Sequence, residues 1–191
     1  MALLLKNGSV FLHIPKTGGT WVRRVLKKMN LVDKEIGYFH SCSTGKFVFT
    51  FVRNPFSWYE SWFKYQESNG WKNFENWHPC SILNGLGSNN FETFLKNVLF
   101  YHPGFISNLF FSYTSNASFV GKQENLRENL CEALSLSNIK FDKYLIMNEP
   151  PLRVSKFRET IWSKELRNEI KIFDILSITM FGYLMEGSNN E

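Results

Sequence analysis

The residues of this chain best suited to doing chemistry stand at two junctions. The first is His13-Ile14-Pro15-Lys16-Thr17-Gly18-Gly19-Thr20-Trp21, and the second is Phe51-Val52-Arg53-Asn54-Pro55, with Ser61 eight residues beyond Arg53. Both run from a hydrophobic segment through a turn into a helical pattern. In the first, Gly18 and Gly19 let successive backbone N–H groups converge on one anion, and the following helix adds its positive N-terminal end. Lys16 supplies a point charge, Thr17 and Thr20 supply hydroxyl donors, and Trp21 offers a flat apolar surface suited to a purine ring. In the second, Arg53 presents a planar fork of donors, while Ser61 lies about two helical turns further on with Ser57 on the same face. Two anion-binding junctions suggest one ligand carrying two anionic groups, the size of a nucleotide. Each also has a plainer reading: a glycine turn beside an exposed lysine, an arginine paired with a surface carboxylate, a serine bonded to its own helix.

Such groups need elements to hold them. Ser9 to Ile14 reads as a buried strand, ended by Pro15 and the Gly18-Gly19 turn. The helix after it carries Val22, Val25, Leu26 and Met29 at i, i+3, i+4 and i+7, with Arg23, Arg24, Lys27 and Lys28 on the opposite face. Glu35 to His40 is a candidate second strand, and Lys46 to Val52 a third. Pro55 suits a first helical turn, and the helix it opens has Trp58, Ser61, Trp62 and Tyr65 along one stripe. Residues 68–90, rich in Asn, Gly, Ser and Trp, lack periodicity and read as a long irregular excursion. Helices are expected from Phe91 to about Phe100, around Leu126, Leu130 and Leu134, and from a cap at Ser163 to about Phe173. Ser118 to Gly121 is a candidate short strand, while Tyr101 to Asn116 and Tyr144 to Met147 stay unassigned. Alternating strand and helix predicts an α/β fold with a central parallel sheet flanked by helices, whose ligands gather beyond the carboxyl ends of the strands.

At 191 residues the chain suits a single domain over residues 1–191. Lys and Arg exceed Asp and Glu by 22 to 17, an excess compatible with nucleotides, nucleic acid or acidic glycans. Cys42, Cys80 and Cys131 are odd in number and widely spaced, which indicates neither a disulfide framework nor a zinc site and favours a reducing cytoplasm. No run approaches the ~18 apolar residues of a membrane span, and Met1 to Leu5 is too short for a signal segment, so a soluble protein is expected.

Together the two junctions resemble the sulfotransferases that use 3′-phosphoadenosine 5′-phosphosulfate (PAPS), in particular the carbohydrate, heparan-sulfate-type branch with its Pro-Lys-Thr-Gly-Gly-Thr loop. His13 to Trp21 is similar to that family's 5′-phosphosulfate loop, and Arg53-Asn54-Pro55 with Ser61 to its 3′-phosphate motif. Phe119-Val120-Gly121-Lys122-Gln123-Glu124-Asn125-Leu126 resembles a family segment before a late helix, and Phe181-Gly182-Tyr183 its C-terminal ending. The likeness is poorest over residues 68–116, the variable region where acceptor specificity is expected to lie. The resemblance implies a P-loop-like three-layer fold and transfer of a sulfuryl group to a hydroxyl or amine of a glycan or small metabolite. It also implies release of 3′-phosphoadenosine 5′-phosphate (PAP), with no metal. Pro15 to Trp21, Arg53 and Ser61 would bind the donor, and Lys16 would stabilise the leaving phosphate.

An acceptor hydroxyl also needs a base. His40, at the expected end of the second strand, is the first choice; His78, His102 and Glu60 are the alternatives, and His13 reads as a strand residue packed beneath the loop. Trp71, Phe74 and Trp77 could stack on a sugar or simply pack. Residues 153–158, Arg-Val-Ser-Lys-Phe-Arg, could return to the 3′-phosphate or be a solvated basic loop. Other classes remain open. Ser43-Thr44-Gly45-Lys46 imitates part of a kinase P-loop, but Phe47 stands where the magnesium-binding hydroxyl belongs. A non-catalytic nucleotide-binding protein would keep Lys16, Arg53 and Ser61 without a base. A nucleic-acid binder could use Arg23, Arg24, Lys27 and Lys28, although the +5 charge and an ordinary solvated helix face make nucleic acid the weaker partner.

Overall fold

Ala2–Leu5 is a strand (β1), and the Asn7-Gly8 pair after it turns the chain straight back into Val10–Leu12 (β2). Gly8 takes φ 85°, a conformation glycine adopts without strain, and the turn closes through Leu5 N–H to Ser9 O and Gly8 N–H to Leu5 O, both 2.8 Å. A computed structural model of the chain describes residues 2–37, 46–152 and 160–183. The remaining strands among them are β3 (Val32–Gly37), β4 (Val48–Val52) and β5 (Phe119–Lys122). The helices are α1 (Gly19–Lys28), α2 (Pro55–Ser68), α3 (Phe91–Tyr101), α4 (Phe105–Thr114), α5 (Leu126–Leu136), α6 (Lys143–Asn148), α7 (Lys164–Phe173) and α8 (Ile175–Met180). The chain divides into two compact units, Met1–Arg53 with Ser112–Lys156, and Asn54–Phe111 with Phe157–Glu191.

The first unit holds a five-stranded sheet of order β3-β1-β2-β4-β5. The fold is α/β, but the expected sheet of parallel strands is corrected to a mixed one: β2, β4 and β5 are parallel, whereas β1 runs antiparallel to β2 and β3. The tight hairpin is the physical reason, since so short a connection can join only antiparallel neighbours. The strand expected from Glu35 to His40 lies earlier, at Val32–Gly37, and pairs with β1; residues 38–40 fall outside the described residues. On one face of the sheet Leu3, Leu5, Phe11, Phe49 and Phe51 form a core with Trp21, Val22, Val25 and Leu26 of α1 and Leu130 and Leu134 of α5. Side chains buried in this way contribute about 1.5–3 kcal/mol each. Gly121 lets α5 close on the sheet, for a Cβ there would fall 2.7 Å from the Phe51 ring and 2.8 Å from Asn129 Cβ.

In the second unit, Asn54 caps α2 by accepting from Phe56 N–H at 3.0 Å, and Pro55 opens the helix as its sequence predicts. Trp58, Tyr59 and Trp62 are fully buried, with Trp58 and Trp62 stacked at 5.6 Å. Phe63 packs against Phe91 and Phe94 of α3. The unassigned 101–116 stretch contains α4, the ambiguous 144–147 stretch lies in α6, and residues 68–90 hold a 3-10 turn at Ser81–Leu86. Ser163 caps α7 through Leu166 N–H, as expected. Asp174, between α7 and α8, accepts from Tyr59 O–H and Ser107 N–H, each at 2.8 Å. Burial pushes the Asp174 carboxyl above its ordinary value despite those donors, and it raises the Tyr59 phenol as well. No helix among the described residues is long and apolar enough to cross a membrane.

Candidate anion-binding site

The parallel register decides what gathers at one edge of the first unit. Leu12 pairs with Thr50 and Val52 with Lys122, so the 13–20 loop, Arg53 and Lys122 all leave the carboxyl ends of neighbouring parallel strands. The loop is fastened from below. Ile14 and Pro15 are buried, and the buried Thr17 hydroxyl donates to Ile14 O at 2.9 Å. Lys16 takes φ 66° and Gly18 φ 83°, two left-handed residues that reverse the chain into α1. For lysine this conformation carries strain, of the kind found where a loop is shaped for binding.

Gly19 is required by contact rather than by φ. A Cβ there would sit 1.9 Å from His13 Cδ2, so the His13 ring packs directly beneath the first turn of α1. A Cβ at Gly18 would meet Leu126 at 2.6 Å and Gln123 at 3.4 Å, which brings the start of α5 against the same loop. Gly19 and Thr20 are the first residues of α1, where N–H groups have no intrahelical carbonyl to bond, and the first turn holds no acidic residue. Arg53 Nη1 donates to Lys16 O at 3.2 Å, joining the two sequence motifs across 37 residues. Chemically, this edge can hold an anion between helix-start N–H groups and cationic side chains.

Trp21 is 6% exposed, its Nε1–H donates to Pro150 O at 3.1 Å, and the Arg127 guanidinium lies 5.8 Å from its ring centroid. In this arrangement it is a core residue, and the purine contact assigned to it would require its ring to be uncovered. The four cations of α1 are also engaged. Arg23 reaches both Glu35 oxygens at 2.6 and 2.7 Å, and Lys27 pairs with the same carboxylate. Arg24 and Lys28 meet the buried Glu149 at 2.7 and 2.8 Å. The hydrogen bonds from Lys27 and Arg23 hold the Glu35 carboxyl below its ordinary value.

Sequence reasoning missed Lys122 as a site residue, although its position at the end of β5 follows once Ser118–Gly121 is aligned in parallel with Lys46–Val52. His40, Cys42, residues 43–45 of the kinase-like string and the 153–158 basic loop lie outside the described residues. Lys46 stands two residues before β4, at the amino edge of that strand rather than its carboxyl edge. Among the described residues no group of three or more His, Cys, Asp or Glu side chains is placed to hold a metal ion.

In the second unit Ser61 is half-buried on α2. Glu60 accepts from Trp162 Nε1–H at 2.5 Å and lies 4.0 Å from Lys64. His78 is buried, stacked on Phe74 at 3.9 Å and on Trp62 at 5.6 Å, and its Nδ1 accepts from Cys80 N–H. Burial lowers its pKa to about 4, which keeps the ring neutral at pH 7. Those contacts describe a structural histidine. His102 ends α3, with its N–H bonded to Val98 O. Trp71 packs on Phe94 at 5.1 Å, while Trp77 is exposed. Comparison of the chain with protein-family models, with curated proteins and with solved structures returned no match.

Proposed function

We propose that this protein is a PAPS-dependent sulfotransferase acting on a hydroxyl or amine of a glycan or small metabolite, with a P-loop-like arrangement of sheet and helices. The observation that carries the reading is the hydrogen bond from Arg53 to the Lys16 carbonyl. It puts a guanidinium beside the loop whose N–H groups and lysine suit a 5′-phosphosulfate, as one ligand with two anionic groups requires.

In this reading the start of α1 and Lys16 hold the bridging and terminal oxygens of the donor's 5′ end, and Arg53 pairs with the 3′-phosphate. The acceptor oxygen attacks sulfur in line with the bridging S–O bond. As that bond breaks, its electron pair passes to the 5′-phosphate, where Lys16 and the loop N–H groups stabilise the added charge. His40 takes the acceptor proton, a contribution of about 10²–10⁴-fold. The products are the sulfated acceptor and PAP.

The test is release of PAP from PAPS by the wild-type chain and by Lys16→Ala, with a panel of desulfated glycans and hydroxylated small molecules as acceptors. Acceptor-dependent release that Lys16→Ala loses supports the assignment. Magnesium-dependent ATP turnover, with PAPS inert toward every acceptor class, would replace it with a kinase.

A further inference from the structure

The side chain that touches the start of α1 from below is titratable. His13 follows β2 directly, and its ring stacks on Phe11 at 6.0 Å with 17° between the planes, on the face of the sheet that packs against α1. The other edge of the imidazole meets Gly19, where an ideal Cβ would fall 1.9 Å from Cδ2 and 2.3 Å from Nε2. Nε2 therefore lies within about 5 Å of the Gly19 backbone nitrogen. That N–H is one of the helix-start donors without an intrahelical acceptor, and an anion bonded to it comes within about 8 Å of the ring. A phenyl ring would fill the same place and stack on Phe11 as well; the imidazole adds a site for a proton.

The charges around that ring are mainly cationic. Lys16 belongs to the loop, Arg53 bonds to Lys16 O, and Lys122 ends the neighbouring parallel strand. The first turn of α1 holds no acidic residue, and Arg23, one turn beyond Gly19, is paired with Glu35. From α5, whose start meets Gly18, Arg127 lies against Trp21 and donates to Glu149 O. Glu124, in the short turn between β5 and α5, is exposed. The helix start and these cations favour the neutral ring. A dianion at the loop reverses the balance: at about 8 Å, with a dielectric between that of a protein surface and water, it favours the imidazolium by about tenfold.

We propose that His13 is the proton-linked member of the anion site: its ring takes up a proton as the anion binds, so that binding tightens as pH falls through the imidazole range. The inference rests on the reading of the loop as a 5′-phosphosulfate site and adds regulation by pH to it. Linkage fixes the sign. A ligand that favours the protonated ring must itself be favoured by protonation, so affinity rises as pH falls between the titration of the bound protein and that of the free one.

The probe is adenosine 5′-phosphosulfate, whose anionic groups stay ionised from about pH 5.5 to about 8, so that a proton taken up belongs to the protein. Calorimetric titration of the full chain in buffers of different ionisation enthalpy should show uptake of about half a proton midway between the two titrations, and Kd should fall about tenfold from the top of that range to the bottom. The His13 Cε1–H resonance, assigned through its own backbone, should titrate about one pH unit higher in the complex. His13→Phe, which keeps the stacking on Phe11, should bind the probe without that uptake. Binding with no uptake and an unmoved His13 resonance overturns the inference, needs no variant, and leaves the reading of the loop intact. Uptake retained in His13→Phe assigns the proton to another group and overturns it too. No binding of the probe at any pH removes the reading of the loop, and the inference with it.

Discussion

The loop that enters α1 and the outer flank of α1 are both basic, yet the first unit uses them in opposite ways. On the flank, Arg23 and Lys27 close on Glu35, and Arg24 and Lys28 close on Glu149, so each of the four cations has a carboxylate partner within the fold. At the loop, Thr17 and Arg53 bond to the carbonyls of Ile14 and Lys16, contacts that fix the backbone without cancelling cationic charge. A run of basic residues is therefore a poor guide to an anion site. In the proposed reading, a lysine in left-handed backbone at a glycine turn, at the end of parallel strands, is a better one.

Substitutions on the two sides should separate function from stability. The largest effect is expected at the loop: Lys16→Ala should lower sulfuryl transfer by roughly 10²–10³-fold, with stability within about 0.5 kcal/mol of wild type, measured by PAP release and urea unfolding. On the flank the order reverses. Glu149→Ala leaves Arg24 and Lys28 facing an emptied, buried position and should cost about 2–3 kcal/mol in the same unfolding experiment, while PAP affinity changes less than about twofold. Equal effects on binding and stability in both variants would erase the distinction.

Lys16→Gly sharpens the comparison further, because it relieves the left-handed strain while removing the charge. Stability should rise by up to about 1 kcal/mol as transfer falls. The smallest effect concerns Glu35. Its folded pKa lies below its ordinary value of 4.5, so the unfolded chain binds the proton first as pH falls. The contribution of Glu35 is complete above that value and is lost as pH drops through the folded one. Glu35→Gln should therefore flatten the acid limb of the stability profile, by less than about 1 kcal/mol for so exposed a network.

What the sequence disclosed follows from the range of the interactions that decide each feature. The α1 stripe, the Pro55 and Ser163 helix starts and the Phe91 helix depend on neighbours three or four residues apart, and each lies where its spacing predicts. The sheet's mixed character follows from Asn7-Gly8, a hairpin signal, but the strand before it, Ala2–Leu5, is only four residues long and too short to show a pattern of its own. Other features depend on partners distant in sequence. Glu149 lies 121 residues from Lys28, and Pro150 lies 129 from Trp21. The pairing of the flank and the burial of the Trp21 ring therefore could not be read from local pattern. Lys122 needed the β4–β5 register, a tertiary fact.

The most direct test is calorimetric titration of the wild-type chain and Arg53→Ala with PAP and with AMP, in buffer containing a chelator. The account predicts that wild type binds PAP at least about tenfold more tightly than AMP, a difference of roughly 1.4 kcal/mol, and that Arg53→Ala removes that preference. Equal affinity for the two nucleotides in the wild-type chain would contradict the two-anion site on which the account rests.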